Sequence, residues 1–513
     1  MNVYSNFNFK KELKKCLQME KDLSLNTTLE SLKKLPNLDT SDNNENLTNN
    51  FDVINKDATN EPVIYGELIL LGYNGSQESS RTSAHGRKHR SKMRLCKREI
   101  ANGIKKGTIS KISEEPAKNS AIQDSSRHVV SYSYNKGHTV LVEYVPDSEK
   151  DMFQIGRSSE KQIDFTIVDT WLAVGSNMVL SPAGNNIRLL KSSNNNGEMQ
   201  QRPISSTISR YACRIICDRQ NTEKCYVYAA GFDSSKNIFL GEKATKWTKK
   251  TDECDGLTTN GVLILHPHGI SEANSGKDMK YDSTKDMYVW REISVDGDIY
   301  TLRESRSSAK RGTLVENESN QLLDGTLIDL CGATLLWRSA EGLSKSPSKI
   351  ELERRLDELN GTKPQCPVNL NTLIIPKKKS NSITQRQPYV YMSCGHVQGK
   401  HEWGMTKNPS NGSTTSYKCP LCLVDSKKVI QLVMGMESAF HLDSDTLEYC
   451  FNPCGHMASK STVEYWSRIP LPHGTNSFHP VCPFCTSLLI LEKPHIKLIF
   501  QDHCYDNYGC GYS

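Results

Sequence analysis

Between Cys394 and Cys485 the chain carries four close pairs of thiol and imidazole side chains: Cys394-Gly-His396, Cys419-Pro-Leu-Cys422, Cys454-Gly-His456 and Cys482-Pro-Phe-Cys485. One tight turn presents both members of such a pair to a single ion, and thiolate with imidazole suits zinc better than magnesium or calcium. Eight ligands suffice for two closed tetrahedral sites with no open catalytic position. A lone cysteine is most often a buried apolar group, but four pairs in series are not explained that way. Of the 17 cysteines, ten lie between Cys366 and Cys510 with eight of the 14 histidines, a joint enrichment that points to metal and away from a disulfide framework. Cys366, Cys450, Cys504, Cys510, His473 and His479 share the region, and Cys450 and Cys504 read as bystanders. Metal here would replace a hydrophobic core that a small Gly- and Pro-punctuated segment cannot build, so metal loss should unfold it.

At 513 residues the chain exceeds one core, and its length predicts roughly two to four domains. Met1 to Asp22 has scattered lysines and glutamates and no signal-peptide core. The most apolar stretch, Val63 to Leu71, is broken by Gly66 and Glu67 and falls well short of the roughly 20 residues a spanning helix needs. These features predict a cytoplasmic protein with no membrane insertion. The formal charge of +6 is mild, and the basic run Arg87, Lys88, His89, Arg90, Lys92, Arg94 reads as a solvated loop. The knuckles lack a basic and aromatic stacking platform, so nucleic acid is not an expected partner.

Residues 1–60 read as a flexible tail, with an amphipathic helix at Phe9, Leu13, Cys16 and Leu17 followed by the polar run Asp39 to Asn50. From Val63 the pattern turns to short Val-, Ile-, Tyr- and Leu-rich runs between Gly, Asn and Asp punctuation, the signature of a β-sandwich. Ile64 to Leu71, Thr139 to Tyr144, Cys213 to Cys217, Cys225 to Ala230, Gly261 to His266 and Thr326 to Leu330 are such runs. A basic stretch at Arg81 to Arg98 and an Asn- and Ser-rich stretch at Ser181 to Ser206 interrupt them as loops or insertions. After Trp337, Pro347 near a helix start and the charged face Glu351, Arg354, Arg355, Glu358 predict an exposed helix over Ser346 to Gly361 that separates two functional halves. No repeat of solenoid length is present.

Three short segments carry a second chemistry: Gly156-Arg157-Ser158 at the end of a strand-like run, Ser209-Arg210, and Thr259-Asn260-Gly261 before another strand. Loops at one end of a sandwich can bring such segments together. Arg157 or Arg210 would then offer a fork of charged donors to phosphate oxygens, Ser209 a hydroxyl, and Asn260 an amide to hold a peptide backbone. Each pair alone is an ordinary turn, and the order of the three carries the argument.

That order resembles the forkhead-associated domain, a phosphothreonine-binding β-sandwich, and Asp324-Gly325-Thr326 to Trp337 looks like its last strand pair. More widely, Tyr65 to Ser76, Asp151 to Ser158, Thr207 to Cys217, Tyr228 to Lys243, Asp255 to Val262 and Leu330 to Gly342 resemble segments of the Pellino family. The Cys and His run resembles the variant RING of the same family, in which a Cys-His-Cys-Cys motif occurs twice, and Trp403, Trp466 and Ile469 to Thr475 strengthen the match.

The resemblance implies a mainly β chain: a forkhead-associated sandwich with an appended wing over residues 61–342, a helical linker over 343–365, and a small zinc-bound RING-like α+β domain over 366–513. The two insertions are the candidates for the wing. It further implies a RING-type ubiquitin-protein ligase holding two zinc ions, with Arg157, Ser209, Arg210, Thr259 and Asn260 reading phosphothreonine. Leu421, Trp466 and Pro483 would dock a ubiquitin-conjugating enzyme. By analogy with RING domains the ligands interleave, with Cys394, His396, Cys454 and His456 on one ion and Cys419, Cys422, Cys482 and Cys485 on the other. Sequential pairing fits the spacing equally well. Implied partners are the conjugating enzyme, ubiquitin and phosphothreonine proteins such as interleukin receptor-associated kinases in Toll and interleukin receptor signalling. The alternative is a non-enzymatic phosphothreonine adaptor with a structural zinc module.

Overall fold

The computed structural model describes residues 62–73, 91–167, 178–180, 186–193, 199–204, 207–267, 288–378, 386–407, 413–473 and 477–501. The expected tail, with its helix at Phe9 to Leu17, and Cys504 and Cys510 lie outside these residues. Strands dominate, as the alternating pattern predicts, and no helix among the described residues is long and apolar enough to cross a membrane.

A 7-stranded sheet runs in the order Ile299–Tyr300, Arg291–Ile293, Val262–Leu265, Leu327–Asp329, Ala333–Ser339, Ile64–Tyr73, Lys92–Cys96. Against it packs a 4-stranded sheet of Cys225–Ala229, Cys213–Asp218, Lys150–Gly156 and Phe165–Thr166. Successive strand residues point to opposite faces. Leu68, Leu70, Ile264, Ile328, Leu335 and Trp337 of the large sheet therefore share one core with Phe153, Ile155, Ile215 and Val227 of the small one.

The appendage is not built from the two insertions. It is a 4-stranded sheet of Asn237–Leu240, His128–Asn135, His138–Asp147 and Gly103–Ile112. Thr139 to Tyr144, read above as sandwich core, belongs to it. A period-two pattern fixes that a segment is a strand but not which sheet takes it. The first insertion ends as an edge strand of the large sheet, Lys92–Cys96 paired to Ile64–Tyr73, and the second forms its own sheet of Met199–Ile204, Asn186–Ser193 and Met178–Leu180.

The helix read as a separator is docked instead. Lys349–Gly361 starts at Ser348, whose side chain accepts from the Glu351 amide, and its i and i+4 residues Leu352 and Leu356 are buried on one face. They pack with Cys366, Leu373, Ile375, Val390, Leu432 and Cys450 in the core of the metal-ligand half. Cys366 and Cys450 thus act as small apolar groups.

The large sheet is apolar on both faces. Ile69, Leu71, Leu263, Leu265 and Leu336 point away from the sandwich core into a second cluster with Phe440, Phe451, Val463, Trp466 and Leu471. The run Leu68-Ile69-Leu70-Leu71 is continuous because both sides of that strand are covered. Trp290 Nε1 donates to the Pro470 carbonyl at 2.6 Å, and Ser346 Oγ donates to the His441 carbonyl at 3.2 Å. Arg338 Nη1 also reaches the Ala439 carbonyl. The sandwich and the metal-ligand half are therefore joined by shared core as well as by chain.

Candidate functional site

The metal-ligand half is built twice. Tyr389–Tyr391 leads into the Cys394-Gly-His396 turn, returns as Val397–Gln398, and is flanked by Val429–Gln431 after the first Cys-Pro-x-Cys knuckle. Tyr449–Phe451 leads into Cys454-Gly-His456, returns as His456–Ala458, and is flanked by His495–Lys497 after the second knuckle. The turns match in detail: Gly395 and Gly455 have φ of 86° and 75°, and each amide donates back to Tyr391 or Phe451 at 2.8 Å. In the knuckles Leu423 and Thr486 both take positive φ, and their amides donate to Cys419 and Cys482 at 2.8 Å.

Two groups of four ligands result, Cys394, His396, Cys419, Cys422 and Cys454, His456, Cys482, Cys485, with all ligand atoms in each group within 4.8 Å of one another. All eight predicted residues are used, but the pairing is sequential and not interleaved. Each turn sits beside the knuckle that follows it because each repeat closes its own small sheet. The repeats interlock through backbone instead of shared metal: a Cβ on Gly395 would lie 2.3 Å from the Lys497 carbonyl in the second repeat, and one on Gly455 would lie 2.1 Å from the Gln431 carbonyl in the first. Only glycine fits either place.

The donor set fits a borderline-soft dication. His456 Nδ1 is buried without a hydrogen-bond partner, which an apolar core would not retain at no cost. Burial pushes the Cys394 thiol up to about 12 and those of Cys454 and Cys482 well above the ordinary range. Hydrogen bonds from Cys454 and Cys482 hold Cys485 well below it. Such crowded thiols release protons when a cation binds. Gln398, fully buried, donates from Nε2 to Cys419 Sγ at 3.3 Å while its Oε1 meets His401 Nε2 at 2.7 Å. Sequence reading missed this support because a glutamine four residues past a cysteine carries no motif.

Of the three residues expected to dock a conjugating enzyme, only Leu421 is exposed, at 41%. Trp466 is 1% exposed and donates from Nε1 to the Phe440 carbonyl at 2.9 Å, so it belongs to the junction core. Pro483 is buried as well. The cause is the asymmetry of the repeats. Phe484, the counterpart of Leu421, packs over Gly435 and stacks on His456 with ring centroids 5.6 Å apart. Thr486, the counterpart of Leu423, lies 2.9 Å from where a Gly72 Cβ would stand in the sandwich. The second knuckle is covered, whereas the first exposes Leu421, Leu423 and Val424.

At one end of the sandwich the three loop segments do converge. The Arg157 and Ser158 amides donate to the Ser209 and Arg210 carbonyls at 3.1 and 3.2 Å, and Asn260 Nδ2 donates to the Thr207 carbonyl at 2.6 Å. Gly156 permits this approach, since a Cβ there would lie 2.0 Å from the Arg210 carbonyl. Arg157 uses Nε on the Ile208 carbonyl at 2.7 Å. Arg210 is exposed and paired with Glu160, whose other oxygen accepts from the Tyr211 hydroxyl at 2.8 Å. The Tyr211 hydroxyl first, then Gln162 and Arg210, set the Glu160 carboxyl below its ordinary value, against burial, which raises it. Ser209 is half-buried and Thr259 exposed. Arg306, paired with Asp329, donates from Nη1 to the Asn260 carbonyl at 3.4 Å and braces the third loop. Glu160, Tyr211 and Arg306 carried no signal in sequence, because surface charges are common and their neighbours are far along the chain.

Two family models match the chain: Pellino, FHA domain over residues 56–355 and Pellino, RING domain over residues 359–505. Among curated proteins, the chain is 48% identical over 439 residues to Protein pellino of Drosophila melanogaster, covering 86% of this chain and 93% of that one. It is 46% identical over 444 residues to E3 ubiquitin-protein ligase pellino homolog 2 of Homo sapiens, covering 86% and 96%. It is 45% identical over 446 residues to E3 ubiquitin-protein ligase pellino homolog 3 of Mus musculus, covering 86% and 91%.

Proposed function

The chain belongs to the Pellino family, and from that premise we propose that it is a RING-type ubiquitin-protein ligase that selects threonine-phosphorylated substrates. The observation that carries the reading is the pair of closed clusters, three thiols and an imidazole each, beside one uncovered apolar knuckle.

Each cluster holds a zinc ion in this proposal. A closed four-ligand zinc supplies folding energy and holds each turn against its own knuckle. Chemistry then comes from positioning. Leu421, Leu423 and Val424 receive a ubiquitin-loaded conjugating enzyme, and its thioester meets a substrate lysine at raised effective concentration, with no ubiquitin bound covalently to this chain. The loop cluster supplies the substrate. A phosphothreonine group takes the terminal nitrogens of Arg157 and the Ser209 hydroxyl, and draws Arg210 from Glu160. Thr259 and Asn260 border the peptide backbone. Because the two halves share core, a phosphoprotein held at the loops stands in a fixed relation to the knuckle. We propose interleukin receptor-associated kinases in Toll and interleukin receptor signalling as substrates, and the cytoplasm as the place of action.

The test is reconstitution with ubiquitin, activating enzyme and a panel of conjugating enzymes, comparing wild type with Leu421→Ala and with Cys419→Ala, Cys422→Ala. Chains made by folded, zinc-loaded wild type and lost in both variants support the ligase. Absence of chains across the panel from folded protein would turn the reading to a phosphothreonine adaptor.

A further inference from the structure

The strand Cys213–Asp218 turns Cys213, Ile215 and Cys217 into the sandwich core and Arg214, Ile216 and Asp218 to the other face. Its neighbour Cys225–Ala229 turns Tyr226 and Tyr228 the same way, with Tyr228 opposite Arg214 and Tyr226 opposite Ile216. The second sheet of a sandwich ordinarily shows such a face to water. Here the appended sheet stands over part of it, and Gly103–Ile112 with Tyr144 forms the facing wall. The groove between them has a volume of ≈ 580 Å³.

Its charge is one-sided. Lys105, Lys106, Lys150, Arg214 and Lys224 line it against Asp218 and Asp296. Lys106 is paired with Asp296 and Glu253, and Lys150 with Asp147 at 3.5 Å. Asp218 is occupied by the Gln220 and Asn221 amides at 2.8 and 2.9 Å. Lys105 and Lys224 are exposed and make no salt bridge among the described residues; Lys224 acts on Asp218 only through its longer-range charge. At the floor Arg214, 1% exposed, gives its terminal nitrogens to the Ala229, Ala230 and Val295 carbonyls, while its Nε is buried without a partner. A groove with exposed cations free of salt bridges at its rim, a buried cation at its floor and tyrosines between matches an extended anionic peptide.

We infer that this groove is a second substrate-binding site, which takes an acidic or additionally phosphorylated segment of the same protein that presents phosphothreonine to the loop cluster. The inference rests on the phosphothreonine reading above and adds to it. Its geometry follows from one strand: Lys150–Gly156 runs 7 residues from the groove to the loops, a distance of about 20 Å. An extended chain crosses that span in roughly six or seven residues. The second site therefore reads charge at a fixed separation from the phosphothreonine, which a single phosphate site cannot do.

The experiment uses the full chain and fluorescent peptides. One peptide carries phosphothreonine in a neutral flank. Others carry in addition a Glu-rich run, or a phosphoserine, about eight residues before or after it, and a last one carries the Glu-rich run alone. The expected result is a gain of about fivefold or more in affinity from one of the extensions, abolished in Lys105→Glu, Lys224→Glu while the neutral-flank peptide binds unchanged. Both substitutions lie on exposed side chains, and a thermal melt confirms that the variant is folded. Gain from the phosphoserine alone identifies phosphate, and gain from both runs identifies negative charge in general; either supports the groove. No gain from any extension, or a gain retained in the variant, overturns it. If the neutral-flank peptide fails to bind wild type, the phosphothreonine reading falls, and binding of the Glu-rich run alone, lost in the variant, still sustains the groove. A single-stranded oligonucleotide that binds there in preference to every peptide would overturn the peptide occupant.

Discussion

Trp290 Nε1 donates to the Pro470 carbonyl at 2.6 Å, so an indole of the sandwich closes a hydrogen bond on the chain leaving the helix Lys460–Arg468. The same ring is 3% exposed and lies in the cluster with Trp466 and Phe440. The joint between the halves is therefore packed like an interior and not like a linker.

Trp290→Ala should cost about 3–5 kcal/mol, the range for removing a buried aromatic. Denaturation followed by intrinsic fluorescence and by zinc release should coincide in wild type and separate in the variant. Coincidence in both would mean that the joint does not couple the halves.

Sequential pairing makes a distinction by metal content. Cys419→Ala, Cys422→Ala should retain one zinc per chain, and so should Cys482→Ala, Cys485→Ala. Cys394→Ala, Cys482→Ala removes a ligand from each group and should lose both ions, measured by atomic emission. The Cys482, Cys485 variant should also be the less stable, because its knuckle touches Gly72 while the other is uncovered.

Leu421→Ala should leave stability within about 0.5 kcal/mol, as surface changes do, and lower chain formation by about tenfold or more, as loss of an interface anchor does. Trp466→Ala should do the reverse in kind, costing about 3–5 kcal/mol of stability. A melt and a discharge assay on each variant separate the two roles.

At the loops, Arg157→Ala should weaken phosphothreonine peptide binding by about tenfold, the worth of one charge-assisted hydrogen bond. Glu160→Gln should strengthen it a few-fold, since Arg210 no longer leaves an anionic partner. Titration by fluorescence anisotropy reads both, and a weakened Glu160→Gln variant would show that Glu160 positions Arg210 instead of competing for it.

His128 packs edge-on against Phe232 at 4.7 Å, and its pKa is lowered from 6.5 to about 4, by burial first and then by Lys236 and Arg214. A base depressed in the folded state binds fewer protons there than when unfolded. Its contribution is full above 6.5 and is lost as pH falls from 6.5 to about 4. His128→Phe should shrink the fall in melting temperature between about pH 7 and pH 5, and an unchanged fall would assign the acid sensitivity elsewhere.

The ligands and the loops were legible in sequence for the same reason: both are local. Two side chains two or three residues apart on a tight turn meet one ion whatever surrounds them, so Cys394 with His396, and Cys419 with Cys422, follow from spacing. The Gly-Arg, Ser-Arg and Asn-Gly turns are equally local, the alternating runs between them carried the sandwich, and the order of the three turns with the family resemblance carried their convergence. Which turn lies beside which knuckle is not local. Strand pairing inside each repeat decided it, and spacing alone left both pairings open.

Burial was the other quantity the sequence did not contain. Leu421 and Phe484 occupy the same place in two copies of one knuckle, yet one faces water and the other stacks on His456. Tertiary structure made them different by packing Gly435, Phe440 and Phe451 of the metal-ligand half against Phe484 and leaving Leu421 uncovered. The same holds for Trp466, for the helix Lys349–Gly361 and for Thr139 to Tyr144, whose patterns fixed an element but not what covers it. A short-range pattern determines the conformation of a segment and its sidedness; which partner fills that side is set by contacts between residues hundreds of positions apart, and only the folded chain brings them together.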